Sequence, residues 1–275
     1  KLDNWSVEQY VKEIERIIEE NPEAGFQAMI GLYNSINLKL SSRGRVRDAI
    51  PHVRNLAEYG QKQLGPGIGA IFSIDAIDSR ALLGDTQGAE EELNNILNTI
   101  TVPPLSNLTP LLRCCYYSST KNWDKFNENL KSAHDGAIAI GFNFMLPLLD
   151  LMSAEYFESI GDTEKVTELN MKVVNSESLM GNHMKIGAYI SQGRVYQELG
   201  LLKKSEKMFE TVIKLDDENA ALFYEYSLLK EKQGNMKEAL DLILKAYNLY
   251  KDGDKELELT QKIFKRFESF QQQLP

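Results

Sequence analysis

The side chains that most often catalyse reactions or bind metals are sparse in this sequence. Its three histidines, His52, His134 and His183, stand far apart, and no two of them have a metal-ligand spacing. His134 precedes Asp135 and could form half of a catalytic dyad, but no nucleophile motif such as Gly-x-Ser-x-Gly accompanies the pair. Because catalysis needs several groups that converge on one point, we expect no enzyme activity, no catalytic residue, no bound metal and no cofactor.

The two cysteines, Cys114 and Cys115, are adjacent in the chain. Neighbouring side chains of a helix point about 100° apart, so a disulfide between these two would need a distorted geometry. Two unpaired thiols are typical of proteins from a reducing compartment. We therefore predict a cytoplasmic protein in which both thiols pack against apolar neighbours.

Four arginines lie within twelve residues of one another: Arg43, Arg45, Arg47 and Arg54. Guanidinium groups match phosphate geometry well, so the cluster could bind an anion or a phosphopeptide. The acidic balance of the chain favours the alternative, in which each arginine pairs with an acidic neighbour on an exposed helix turn.

A glycine-rich run covers residues 65–69, where the sequence reads GPGIG. A phosphate-binding loop would continue with Lys and Ser or Thr, and a dinucleotide-binding loop would follow a strand. This run has no such continuation and follows a predicted helix. We expect it to connect two helices.

The composition is that of an ordinary globular protein of 275 residues, 43% of them hydrophobic and 26% charged. Such a chain is too apolar to be disordered. No run of about 18 apolar residues could cross a membrane, and no N-terminal segment resembles a signal peptide. The net charge of −9 disfavours binding to nucleic acid or to anionic lipid, so we expect neither partner.

The chain contains an internal repeat. Segments that begin at Lys185 and Asn219 align without gaps at a shift of 34 residues. The shift matches large residues with large ones, small with small, and turn glycine with turn glycine: Tyr189 with Phe223, Gly193 with Ser227, and Gly200 with Gly234. Each segment therefore predicts a helix, a glycine-centred turn and a second helix.

The same turn signal recurs upstream at wider spacing. Predicted turns fall at positions 44, 84, 121, 161, 200 and 234. The residue five positions after each turn is expected to lie where the two helices of the hairpin cross, and these residues are Ala49, Ala89, Phe126, Val166, Ser205 and Ala239. This rhythm predicts six helical hairpins. Apolar stripes near both ends predict terminal helices that cover the array. No segment alternates like a strand, which predicts an all-α fold.

We divide the chain accordingly into one domain over residues 1–275. Residues 1–22 would form an N-terminal capping helix, 23–184 degenerate repeats, 185–252 two regular repeats and 253–275 a C-terminal capping helix.

The 34-residue unit resembles the tetratricopeptide repeat. The likeness rests on the small residues Gly193 and Ser227, the aromatic Tyr196, the glycine turns and the small residue five positions later. Lys230, which replaces that aromatic in the second unit, departs from the pattern. The spacing of 37–40 residues between the upstream hairpins resembles that of the helical repeats in sensor domains of bacterial regulators. The resemblance implies a right-handed α-α superhelix, a solenoid of about six hairpins whose first helices line a concave groove.

Register along those first helices predicts which side chains face the groove. The candidate ligand-binding residues are Asn34, Asp78, Cys115, Glu155, Arg194, Gln197, Tyr224 and Glu231. The family's clamp for C-terminal carboxylates needs repeated Lys and Asn, which these positions lack. We predict a non-enzymatic scaffold that binds a protein or peptide in the groove, such as a peptide with a basic residue. The alternative is a small-molecule sensor, for example for a sugar, within a larger bacterial transcription regulator.

Overall fold

The computed structural model describes residues 7–20, 26–176 and 182–273, and within these ranges it contains helices and turns but no strand. The all-α prediction is therefore confirmed. The α-helices are α1 (Val7–Glu20), α2 (Phe26–Ser41), α3 (Val46–Leu64), α4 (Pro66–Phe72), α5 (Ile74–Leu82), α6 (Thr86–Leu97), α7 (Thr109–Ser119), α8 (Trp123–Ala139), α9 (Leu146–Ser159), α10 (Thr163–Val174), α11 (Asn182–Glu198), α12 (Leu202–Leu215), α13 (Ala220–Lys232), α14 (Met236–Tyr250) and α15 (Glu258–Gln273).

Within the described ranges, six hairpins follow one another: α2–α3, α5–α6, α7–α8, α9–α10, α11–α12 and α13–α14. Each turn contains a residue with positive φ at the predicted position: Gly44, Gly84, Lys121, Gly161, Gly200 and Gly234. Glycine adopts this conformation without steric cost, whereas Lys121 adopts it at φ 54° with a side chain attached. The turn positions read from the sequence are thus confirmed, including the one that lacks glycine.

The hairpins are held together where their two helices cross. The residue five positions after each turn is fully buried, at 0% exposure: Ala49, Ala89, Phe126, Val166, Ser205 and Ala239. In α11, a Cβ atom at Gly193 would overlap the ring of Phe209 on α12. The small residues of the repeat therefore permit the close approach of paired helices.

The second helix of most hairpins begins with a side-chain cap from its own turn. These N-cap residues, whose side chains accept a backbone N–H of the first helical turn, are Asp85, Asn122, Asp162 and Asn235. Leu201 before α12 makes no such bond, and neither does Arg45 before α3. At α3 the missing acceptor comes from elsewhere, because the Arg47 N–H donates to Asp254 Oδ2 over 2.8 Å, across 207 residues of sequence.

This capping contact belongs to a junction that closes the array on itself. The Asp254 N–H donates to the Gly44 carbonyl over 2.7 Å, and Arg47 pairs with Glu256 at 2.9 Å. A Cβ atom at Gly44 would lie 2.8 Å from the ring of Tyr250. The turn of the first hairpin therefore packs against the segment between α14 and α15. We call this contact between the first hairpin and the end of the array the closure. The spacing of the repeats does not predict it.

The arginine cluster at 43–54 serves structure, as the paired alternative predicts. Its five ion pairs join Arg43 to Glu218, Arg45 to Asp48, Arg47 to Asp254 and to Glu256, and Arg54 to Glu92. The three pairs of Arg43 and Arg47 reach the C-terminal third of the chain. The cluster thus helps to hold the closure.

The glycine-rich run at 65–69 is only partly a connector. Gly65, at φ 90°, ends α3, but Pro66 occupies the first turn of α4, a position that suits proline. Gly69 lies against α3, where a Cβ atom would sit 2.8 Å from Gln61 Cβ. The expectation of a connecting loop is wrong for residues 66–69, where Gly69 allows α4 to pack closely on α3 and Gly67 faces Leu105.

Both predicted terminal helices occur, as α1 and α15. Tyr10 and Ile14 of α1 are buried in a cluster with residues of α2 and α3. On α15, Ile263 is fully buried and the Phe267 ring stacks on Tyr247 with centroids 4.3 Å apart. The remaining residues of the predicted N-terminal segment, 1–6 and 21–22, lie outside the described residues.

Candidate functional site

The hairpins surround a cavity of about 570 Å³, which we call the central cavity. Its wall is formed mainly by α2, α5, α11, α13 and α15, with residues from the end of α7 and the turn after it. The polar side chains that line it include Asn37, Asp75, Asp78, Ser119, Lys121, His183, Arg194, Tyr224, Glu225, Glu258 and Lys262. Four of the first helices of the hairpins, α2, α5, α11 and α13, contribute to its lining, and so does the segment that follows the closing contact.

One wall of the central cavity is acidic. Asp75 Oδ2 accepts a hydrogen bond from Asn37 over 2.9 Å, and Asp78 Oδ1 accepts one from Ser119 over 2.6 Å. Both donors are neutral, and within the described ranges neither aspartate forms an ion pair. Glu155, on α9, is also free of ion pairs there. The site thus places three carboxylates near one another with no cation in contact.

The surroundings of these carboxylates oppose their ionisation. Desolvation by the protein walls, followed by the negative charge of Asp78, raises the pKa of Asp75 to about 6. The same two causes raise the pKa of Glu155 to about 7, and desolvation raises the pKa of Asp78. A positive charge brought into the cavity would offset these effects.

The cations of the cavity are already paired. Arg194 holds Glu158 with two hydrogen bonds of 2.9 Å and lies 3.8 Å from Glu225. Glu258 pairs with Lys121 at 3.2 Å and with Lys262 at 2.7 Å. Each positive side chain is therefore neutralised by a partner other than Asp75, Asp78 or Glu155.

Desolvation lowers the pKa of His183, which favours the neutral imidazole in the cavity. Among the residues that the structure describes, no group of His, Cys, Asp and Glu could hold a metal ion. The acidic wall has the charge to hold a cation of other kinds, such as an ammonium or guanidinium group.

Three of the predicted groove residues line the cavity directly: Asp78, Arg194 and Tyr224. A fourth, Glu155, is exposed and lies close enough to the cavity for the charges of Asp78 and Arg194 to affect its pKa. Gln197 is buried and donates to the Glu225 carbonyl over 3.3 Å.

The other predicted residues lie elsewhere. Cys115 is 2% exposed, so its thiol packs inside the array and offers no surface to a ligand; this expectation is wrong. Cys114 is buried as well, and desolvation raises its pKa to about 12, which makes it an unreactive thiol. Glu231 is exposed, pairs with Arg266 at 2.7 Å and is absent from the cavity lining. Asn34 lies on α2, and its side chain is outside the described part of the structure.

Sequence reasoning missed several lining residues. Asp75 lies one helical turn before Asp78, so a wider window on α5 would have included it. Glu225 follows the predicted Tyr224 directly. Glu258 lines the cavity only because the closure brings the start of α15 to it. No local sequence pattern predicts that contact.

No helix of the described residues is long and apolar enough to cross a bilayer. No protein-family model matches the chain, and no curated protein matches it in sequence. Solved structures resemble it instead. A chain in the crystal structure of the APC/C hetero-tetramer Cut9-Hcn1 matches with a TM-score of 0.56 and 12% identity, over 95% of this chain and 46% of that one.

A second similar structure is a tetratricopeptide repeat protein from Parabacteroides merdae ATCC 43184, with a TM-score of 0.48 and 15% identity, over 94% of this chain and 98% of that one. Our chain therefore spans less than half of the Cut9-Hcn1 chain that it matches. At such identities the likeness concerns architecture. The likeness to the Cut9-Hcn1 chain and the six helical hairpins of the described residues show that the chain has an all-α solenoid fold.

Proposed function

We propose that this protein is a non-enzymatic scaffold whose central cavity receives a basic side chain from a partner protein or peptide. The observation that carries the proposal is the pair of lining carboxylates Asp75 and Asp78, with Glu155 exposed beside them, none of which forms an ion pair within the described residues. A volume of about 570 Å³ lies within the range of ~300–1,000 Å³ typical of ligand sites. A cavity of this volume can hold one inserted side chain of the partner together with the residues next to it.

A lysine or arginine is the complement that the wall lacks. Its charge would lower the raised pKa values of Asp75 and Glu155, so binding would release protons near neutral pH. Affinity should therefore rise with pH as these carboxylates ionise. Neutral donors on the wall, Asn37 and Ser119, already hold the aspartates in place for such a contact.

The test is a peptide library in which one fixed position is Lys, Arg, norleucine or Glu. We expect the Lys and Arg peptides to be retained over the norleucine peptide, and this preference to be lost in Asp75→Asn/Asp78→Asn. Glu231→Gln is the matched control, since it removes one carboxylate outside the cavity lining. Equal retention of Lys and norleucine peptides, or equal effects of the acidic-wall variant and the control, would refute the proposal.

A second candidate is a sensor of a small polar ligand such as a sugar, within a larger transcription regulator. The closure favours it, because Leu257 and Glu258, which follow the closing contact of Asp254, bound the cavity at one side. Hydroxyl and amide groups such as Tyr224 and Asn37 could bind sugar hydroxyls. A thermal-shift screen with saccharides separates the two functions, since a ligand of the folded state raises its stability in proportion to RT ln(1 + [L]/Kd).

We further propose that residues 1–275 act as one binding domain and that the protein works in the cytoplasm. The two buried, unpaired thiols support the second point. Loss of the folded state in mildly reducing buffer, with recovery on oxidation, would contradict it.

A further inference from the structure

A second cavity, of about 510 Å³, lies between α6 and α7 and reaches the first turn of α8. We call it the α6–α7 groove. It shares no lining residue with the central cavity. Its walls carry two cations, two tyrosines, two asparagines, one glutamate and apolar or hydroxyl neighbours: Arg113, Lys125, Tyr116, Tyr117, Asn94, Asn122, Glu90, Leu93, Leu97, Thr86 and Thr120.

Arg113 is exceptional among the arginines of this chain. The sequence contains nine of them, all within the described ranges. Eight form an ion pair with a carboxylate: Arg16, Arg43, Arg45, Arg47, Arg54, Arg80, Arg194 and Arg266. Arg113 forms none, and it is the only one of the nine that lines this groove. In an acidic protein, an exposed guanidinium without a partner is available to an external anion.

Lys125 gives the groove a second available cation. Its Nζ lies 5.6 Å from the centroid of the Tyr117 ring, and within the described residues it contacts no carboxylate. Tyr117 follows Arg113 by four residues on α7, which places the two side chains on one face, about 6 Å apart along the axis. The two cations thus flank the tyrosine pair, whose ring centroids are 5.4 Å apart.

Glu90 is the acidic residue in the lining of the groove. Its charge contributes to the raised pKa of Tyr116, after desolvation, so it lies near the tyrosines and forms no ion pair with Arg113 or Lys125. An anionic group is therefore favoured at the two cations and disfavoured beside Glu90. Backbone N–H groups of an extended chain would suit the carboxylate of Glu90.

We propose that the α6–α7 groove binds an acidic peptide segment, with one carboxylate on Arg113, a second towards Lys125 and apolar side chains against the tyrosines. The lining positions on α6 run from Thr86 to Leu97, about 16 Å of helix. An extended segment of about five residues covers that length. This site is independent of the central cavity and requires the opposite charge.

The test uses an acetylated, amidated pentapeptide of alternating glutamate and leucine, titrated into the full 275-residue chain and followed by NMR. We expect shifts in the amide signals of Tyr116 and Tyr117, and none in that of Asp78. The matching peptide with glutamine in place of glutamate should bind at least about tenfold more weakly. Binding of the acidic peptide should weaken further as salt rises.

Variants locate the contact. Arg113→Gln should reduce affinity at least about tenfold, and Arg113→Lys should recover part of the loss, because a lysine keeps the charge without the fork of donors. Lys131→Gln removes one charge from the exposed face of α8 and should change affinity less than about twofold. Equal losses in Arg113→Gln and Lys131→Gln, equal binding of the glutamine peptide, or no acidic-peptide binding at millimolar concentration would each overturn the proposal.

Discussion

The closure of the array predicts that Asp254 acts as the N-cap of a helix 207 residues away in sequence. In Asp254→Ala the first turn of α3 loses its side-chain acceptor, and loss of an N-cap costs about 1 kcal/mol. The variant also loses the contact with Arg47, 3.5 Å from Asp254, which is worth at most about 1 kcal/mol at an exposed arginine. We expect the free energy of unfolding, measured in urea, to fall by about 1–2 kcal/mol.

A compensating change tests the cause of that loss. Arg45→Asn places a short capping side chain at the N-cap position of α3, as Asn122 and Asn235 do for their helices. In the native background Asp254 already accepts the Arg47 N–H of the same helical turn, so the gain should be small. In the Asp254→Ala background, the same change should restore about 1 kcal/mol.

The control for Asp254→Ala is Asp252→Ala, which removes an exposed carboxylate two residues away. It should alter the free energy of unfolding by less than about 0.5 kcal/mol. The reasoning fails if the two alanine variants are equally stable. It also fails if Arg45→Asn stabilises both backgrounds by the same amount, because the two caps would then be uncoupled.

Two further predictions concern the helix crossing and the acidic wall. Gly193→Ala should lower the free energy of unfolding by about 1–3 kcal/mol, because its methyl would overlap Phe209. Gly187→Ala, on the same helix but with its nearest contact at 3.4 Å, should raise it by up to about 1 kcal/mol; equal signs would contradict the packing argument. Because the pKa values of Asp75 (about 6) and Glu155 (about 7) are raised, the folded state binds protons at a higher pH than the unfolded state does. Stability from these groups is therefore fullest below about pH 4 and is lost as the pH rises through roughly 6–7, so urea midpoints of Asp75→Asn/Glu155→Gln should fall less than those of the native protein over that window.

The hairpins were predictable because their signals are local. A turn glycine and a small residue five positions later act within one hairpin, so a single sequence contains both. Even Lys121, without glycine, was placed correctly by the interval from its neighbours. The error at residues 66–69 has a clear cause: glycines usually mark a loop, but here Gly67 and Gly69 lie in α4 and allow close packing, Gly69 on α3 and Gly67 on Leu105.

The candidate site was predicted only in part because its other members depend on long-range contacts. Asp78 and Arg194 follow from the register of the first helices, as the fold implies. Cys115 has the same register but points into the array, where a small thiol fits the packing. Glu258 enters the cavity through the closure, and a contact across so many residues leaves no periodic trace.

Closure and the charge of the central cavity are linked through Glu258, which lies four residues after Asp254. Glu258 neutralises Lys121 and Lys262. If Asp254→Ala loosens the junction, Glu258 loses its fixed place, and two unpaired lysines then oppose the field of the acidic wall. A lysine-containing peptide should therefore bind the variant more weakly, while the glutamate peptide at the α6–α7 groove should bind as before. Parallel losses of both peptides would mean instead that the variant damages the fold as a whole.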